Sequence, residues 1–172
     1  MRRNRRTRKD RGLMGQMLAY SRQPRTWLTA LLGVGAMEGF FSVAPRMGLT
    51  RMDNATPNGT YVFPPGWKAS LLGFLTYYGG SVGLVSVFRA LRPRLKGTDP
   101  ARGVKYASGV YLFASLVVMP FVSWTNPYMR RGKMKKPGFF GLGLEGWRTA
   151  ASNLIGHLIY GRVIGSRWLN KE

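Results

Sequence analysis

Four residues carry most of the chemistry this sequence could perform: Glu38, His157, Tyr160 and Arg162. Glu38 interrupts a long uncharged run, and a carboxylate there must face protein, water or a cation rather than acyl chains. His157 and Tyr160 stand three positions apart, so on a helix they share a face. That face could order an interhelix hydrogen bond, which is the preferred reading. It could also present a neutral imidazole as cofactor ligand to haem or a chlorophyll-like pigment. Arg162 and His157 are candidate partners for Glu38 in a buried polar network, read first as a structural clamp. Ser42, Tyr77, Tyr78 and Asn153 would be needed to extend it into a proton or ion route.

The composition closes off other chemistry. The chain has no Cys and one His, which excludes disulfides, thiolate catalysis, Cys-ligated metal centres and a bis-histidine site within the chain. No acidic cluster supplies a first shell for zinc or a two-metal hydrolase. A Ser-centred elbow, a phosphate-cradling Gly–Lys–Ser/Thr loop and a glycine fingerprint after a strand are all missing. No catalytic and no metal-binding residue is therefore predicted.

The elements that must position these residues are long apolar helices. Residues 69–88, ASLLGFLTYYGGSVGLVSVF, hold no charge across 20 positions. At 1.5 Å per residue this spans roughly 30 Å of hydrocarbon. Lys68 and Arg89 bracket it, and Trp67 stands where an interfacial ring belongs. A second uncharged run covers 106–129, with a kink expected at Pro120 and an end near Trp124, before Asn126-Pro127. The first apolar stretch starts near Trp27 and contains Glu38. The last candidate, 147–168, is only moderately apolar and contains Asn153, His157 and Arg162; a bundle could bury its polar face. The predicted fold is all-α, an integral membrane four-helix bundle over 26–168, with a basic tail at 1–25 and a short C-terminal tail at 169–172.

Charge sets the orientation. Residues 1–25 hold nine Lys/Arg and one Asp, and residues 89–105 hold six and one. The positive-inside rule puts both on the cytoplasmic side with Arg167 and Lys171, most simply in a bacterial cytoplasmic membrane with both termini cytoplasmic. The cluster Arg130–Lys136 then falls outside, against the rule. Asn58-Gly59, Pro64-Pro65-Gly66, Arg92-Pro93, Asp99-Pro100 and Pro137-Gly138 mark turns. Asp53 and Asn54 are expected to cap or orient the loop after the first helix. The segment FFGLGLEGW lies either at the interface or as an irregular loop over the bundle mouth.

Glycines four residues apart, Gly35 with Gly39, Gly79 with Gly83 and Gly161 with Gly165, would allow backbone-close helix packing within the bundle or form a partner face. The tail residues Arg2, Arg3, Arg5, Arg6, Arg8, Lys9 and Arg11 suit anionic lipid or an acidic partner. Nucleic acid is the poorer fit: the net charge of +21 would suit it, but four apolar segments would not.

The arrangement resembles a poorly characterised group of small bacterial and archaeal four-helix membrane proteins with a late His-x-x-Tyr-Gly signature. Here that signature is His157-Leu158-Ile159-Tyr160-Gly161. The glycine-rich first helix, with Gly33, Gly35, Met37 and Gly39, and the Phe140-Gly141 step before the last helix also match. The resemblance covers approximately residues 27–168 and implies architecture rather than an activity.

The expectation is a non-catalytic accessory or structural subunit stabilising a larger membrane complex, with energy-converting or photosynthetic assemblies as candidate hosts. Its expected partners are other membrane-protein subunits and anionic lipids. The alternative is a small transporter or ion-conducting protein using a buried Glu38.

Overall fold

The computed structural model describes residues 12–169, and these contain no strand. The predicted lipid- or partner-contacting cations Arg2–Arg11, and Lys171 at the other terminus, lie outside the described residues.

Helix α1, Leu13–Ser21, falls within the stretch expected to be a tail. The nine residues LMGQMLAYS carry no charge, which the strongly basic average of residues 1–25 conceals, and they pack on a later helix. Helix α2, Pro24–Val43, starts on a proline whose missing N–H costs nothing in a first turn. Its buried residues, Thr26, Thr29, Ala30, Gly33, Val34, Met37 and Phe41, recur largely at three- and four-residue steps along one face. A 3₁₀ turn over Ala44–Met47 ends it, closed by Gly48 at φ 73°.

Helix α3, Thr56–Gly59, is one turn long and lies against α4, Trp67–Leu91. Two glycines make that contact possible: a Cβ on Gly59 would collide with the backbone of Ala69, and one on Gly73 with the backbone of Ala55. Helix α5, Asp99–Phe113, continues through a π turn at Ala114–Val118 into α6, Met119–Thr125. Pro120 supplies no N–H to the preceding turn, and the widened turn before it accommodates that loss without ending the helix.

Asn126 then stops the rod and starts α7, Pro127–Arg130. Its Oδ1 accepts from the backbone N–H groups of Tyr128 and Met129, and its Nδ2 donates to the Pro57 carbonyl and Thr60 Oγ1. The FFGLGLEGW segment becomes a 3₁₀ turn, Phe139–Gly141, and helix α8, Leu142–Glu145. Phe140 packs at a tilt against Tyr111 while Phe139 stays exposed, so the segment covers the bundle and keeps an outward aromatic edge.

Helix α9, Trp147–Ile164, packs against both α5 and α2. Three helical rods have the length and hydropathy to cross a membrane: Pro24–Met47, Trp67–Arg94 and Asp99–Thr125. Helix α9 is not among them, because its inner face is polar: Thr149, Ser152, Asn153 and Tyr160 are all buried. One end of the bundle gathers the start of α2, the α4–α5 turn and the C-terminal residues. The other gathers the loops around α3, α7 and α8.

The domain ends shift accordingly. Leu169 was expected to begin a C-terminal tail, but it is 1% exposed and its carbonyl accepts a hydrogen bond from the guanidinium of Arg89.

Candidate functional site

The loop end is held by hydrogen bonds among hydroxyls, amides and two carboxylates, Glu145 and Asp53. Thr50 N–H donates to Ser152 Oγ at 3.0 Å, and Thr50 Oγ1 donates to Glu145 Oε2 at 3.1 Å. Thr149 Oγ1 donates to Thr50 Oγ1 and accepts from the Glu145 N–H. Deeper in, Asn153 Nδ2 donates to Ser115 Oγ at 3.3 Å, where the π turn exposes a side chain to α9. Asp53 Oδ1 accepts from the backbone N–H groups of Ala55 and Thr56, which fixes the entry to α3.

Between these helices lie two adjacent chambers that share part of their lining. The inner one, about 530 Å³, opens between α4 and α5, where Thr76 and Gly80 are exposed, has α2 and α9 behind it, and includes Ser81, Val110 and Tyr160. The outer one, about 460 Å³, lies under the loops and includes Arg51, Asp53, Lys135 and Glu145. Asn58, Tyr77 and His157 line both and form the neck. Below the inner chamber Tyr106 O–H donates to the Leu84 carbonyl at 2.8 Å, and the Tyr106 ring rests on the fully buried Phe88 at 5.4 Å.

His157 Nδ1 lies 2.9 Å from the Asn153 carbonyl oxygen. A carbonyl only accepts, so Nδ1 carries the proton and, in the neutral ring, Nε2 keeps the lone pair. Nε2 is thus the atom through which His157 could hold a cofactor or meet a ligand. The ring also lies edge-on to Tyr111 at 5.6 Å. Tyr77 O–H has only the Met37 sulfur, at 3.8 Å, a weak acceptor.

The expected network of Glu38, His157, Tyr160 and Arg162 does not assemble. Tyr160 O–H meets Ser81 Oγ at 2.9 Å, and the polar neighbours of Glu38 include Asn54, Asp53, Arg51 and Tyr77, the last of which also lies near Tyr160. One Glu38 carboxylate oxygen is buried without a hydrogen-bond partner. Arg162 is exposed and lies beside Leu32 and Ala36, toward the termini. Two facts of helix geometry separate it from Glu38. Along α9 it lies about 140° around the axis from His157. The antiparallel register pairs Gly33 with Tyr160 and Ile164, and Phe41 with Gly156, so Glu38 and Arg162 sit at different heights.

The glycine pairs also part company. Gly161 and Gly165 face Gly103 so closely that a Cβ on any of the three would strike backbone. Gly35, Gly39, Gly79 and Gly83 have nothing within 4 Å of a Cβ position, so they do not serve packing inside the chain. The expected packing role within the bundle is corrected for these four: spacing aligns them along a helix but does not decide which side meets a neighbour.

Arg89 was read as a bracketing interfacial cation, yet it is 7% exposed. Its guanidinium donates to Thr26 Oγ1 at 3.0 Å, Thr29 Oγ1 at 3.3 Å and the Leu169 carbonyl at 3.0 Å. Thr26 and Thr29, one turn apart on α2, were the available signal. Asn126 carried a clearer one, because an Asn before a helix-starting proline is a strong N-cap pattern. No protein-family model, curated protein or solved structure matches the chain.

Proposed function

We propose that this chain is an integral membrane protein whose four main helices cross the bilayer and which serves as a non-catalytic subunit stabilising a larger membrane complex. The division among its glycines carries the reading. Gly103, Gly161 and Gly165 are consumed by internal contact, whereas Gly35, Gly39, Gly79 and Gly83 present small outward surfaces on α2 and α4. In lipid, such surfaces let a neighbouring helix approach closely and gain packing that bulky side chains prevent.

The outer surface supports the membrane setting. Leu28, Leu31, Leu71, Leu75, Leu112 and Phe113 are exposed along the rods. Exposed Trp67, Trp124 and Trp147 mark the loop end, and Trp27 and Trp168 the termini end. Helix α9, 18 residues and so about 27 Å long, crosses with them by turning its polar face onto α2 and α5. The termini face the cytoplasm, following the basic residues gathered there, and energy-converting or photosynthetic assemblies are suitable hosts. The kinship with small four-helix His-x-x-Tyr-Gly membrane proteins belongs to this same proposal.

Conduction through Glu38 would need a polar route to both ends. Glu38 is not among the residues that line either chamber, which speaks for the subunit reading. Purification from native membranes in mild detergent, followed by mass determination, tests it. Stoichiometric companion subunits are expected, released by Gly79→Leu with Gly83→Leu at unchanged thermal stability. Recovery only as a monodisperse single chain would overturn the proposal.

A further inference from the structure

We propose that the two adjacent chambers form a binding site for one amphiphile, with a single apolar chain in the inner chamber and an anionic head at the outer mouth. The site goes beyond the subunit reading and needs only the isolated chain.

Size and lining come first. Each chamber, at about 530 and 460 Å³, falls within the range of sites that enclose small ligands, roughly 300–1,000 Å³. The inner chamber is walled by apolar groups such as Val34, Leu84 and Val110 and opens sideways between α4 and α5, where Thr76 and Gly80 are exposed. A mostly apolar recess open to the side accepts the acyl tail of a ligand.

The neck supplies one donor and one acceptor. Tyr77 O–H is engaged only by the Met37 sulfur and is available to donate to a stronger acceptor, such as an ester or carboxyl oxygen. His157 Nε2, its tautomer set by the Nδ1–H bond to the Asn153 carbonyl, is available to accept from a hydroxyl. These groups stand where the polar head of an amphiphile meets its chain.

At the mouth, the cations and carboxylates differ in their commitments. Asp53 is turned onto the N–H groups of Ala55 and Thr56, and Glu145 accepts from Thr50. Arg51 and Lys135 donate no hydrogen bond and form no close ion pair to another described residue, although the charge of Arg51 also acts on nearby Glu38. Exposed Arg130, Arg131, Lys133 and Lys136 follow on the same loop and add positive potential around the opening. An anionic head, carboxylate or phosphate, is the chemistry this mouth recognises.

Native mass spectrometry of the full chain in non-ionic detergent tests the site with four probes. Oleate and oleoyl-lysophosphatidylglycerol carry the two anionic heads, monooleoylglycerol a neutral one, and dioleoyl-phosphatidylglycerol a second chain. A one-to-one adduct is expected with at least one anionic single-chain probe, and comparison of the two assigns the head as carboxylate or phosphate. Monooleoylglycerol should bind about tenfold more weakly, the loss of roughly one charge-assisted contact. The double variant Arg51→Gln, Lys135→Gln should reduce anionic binding to that level.

Gly80→Leu should remove the adduct while preserving the fold, since a Cβ there meets nothing within 4 Å; Val110→Phe fills the chamber from the opposite wall. Equal binding of the neutral probe, tighter binding of the two-chain lipid, or undiminished adducts in both folded chamber variants would each overturn the site. None of these outcomes bears on companion subunits, so the two proposals fail separately.

Discussion

The two ends of the bundle are built from similar residues and solved differently. At the termini end, Asp99 accepts from Arg92 at 2.8 and 3.1 Å and from Arg102 at 3.1 Å, Arg102 Nε donates to the Leu95 carbonyl at 2.7 Å, and Arg89 is buried among threonines. At the loop end, Arg130, Arg131, Lys133, Lys135 and Lys136 are exposed and form no ion pair among the described residues. Fixation there falls to hydrogen bonds rather than ion pairs, the Thr50–Thr149–Ser152 network with Glu145 and the Asn126 network. A basic segment becomes structural when a carboxylate or a row of carbonyls and hydroxyls lies within reach. Without one it remains a field directed outward.

The sharpest way to break this contrast is at the tight crossing of α5 and α9. Gly161→Leu forces a side chain against the Gly103 carbonyl and the Ala107 methyl, neither of which can yield without separating the helices. Overpacking of this kind should cost about 3 kcal/mol, read as a lowered denaturation midpoint in detergent. Gly79→Leu, which meets open space, should stay within about 0.5 kcal/mol of the parent. Equal losses in the two variants would mean that backbone closeness is not what distinguishes these glycines.

Next in size is Arg89→Ala. The change leaves Thr26, Thr29 and the Leu169 carbonyl short of a donor in a buried place and should cost about 2 kcal/mol. The C-terminal residues should also loosen, seen as faster amide exchange near Leu169. A stable variant with unchanged exchange would remove Arg89 as the anchor of this end.

Asp99→Asn is a milder probe. The two ion pairs are partly exposed and screened, so their loss should cost about 1 kcal/mol, with a smaller difference at high salt. Helix α5 should survive, since Pro100 in its first turn still favours that start.

Much of the fold is legible in the chain, because run length and interruption are local properties. Ala69 to Phe88 has no charge and emerges as the body of α4. Trp147 begins α9, although that helix is too polar for its hydropathy to announce it. The site was less legible because it depends on rotation and register. Gly79 with Gly83 and Gly161 with Gly165 have identical spacing and opposite surroundings. Gly103 and Ala107, the surfaces that receive Gly161, also stand four apart, but nothing in their own segment says which helix they meet. Glu38 and Arg162 are natural partners by charge alone. Only the antiparallel offset of α2 and α9 shows that Glu38 lies under the Arg51–Asn54 loop while Arg162 lies near the other end.

The smallest expected effect is also the most diagnostic of the contrast between ends. Replacing Arg130, Arg131 and Lys133 by Gln removes three exposed cations that no carboxylate holds. Stability should move by less than about 0.5 kcal/mol, because long solvated side chains lose little when no partner orients them. Removing mutual repulsion could make the shift slightly favourable, and added salt should then narrow it. The double variant Arg92→Gln, Arg102→Gln deletes fewer charges and should destabilise more, because both guanidinium groups are bound to Asp99. A reversed order, measured by the same detergent denaturation, would mean that the cations of the α7 loop hold that end together after all. The outward field proposed to draw an anionic head toward the cavity mouth would then lose its basis.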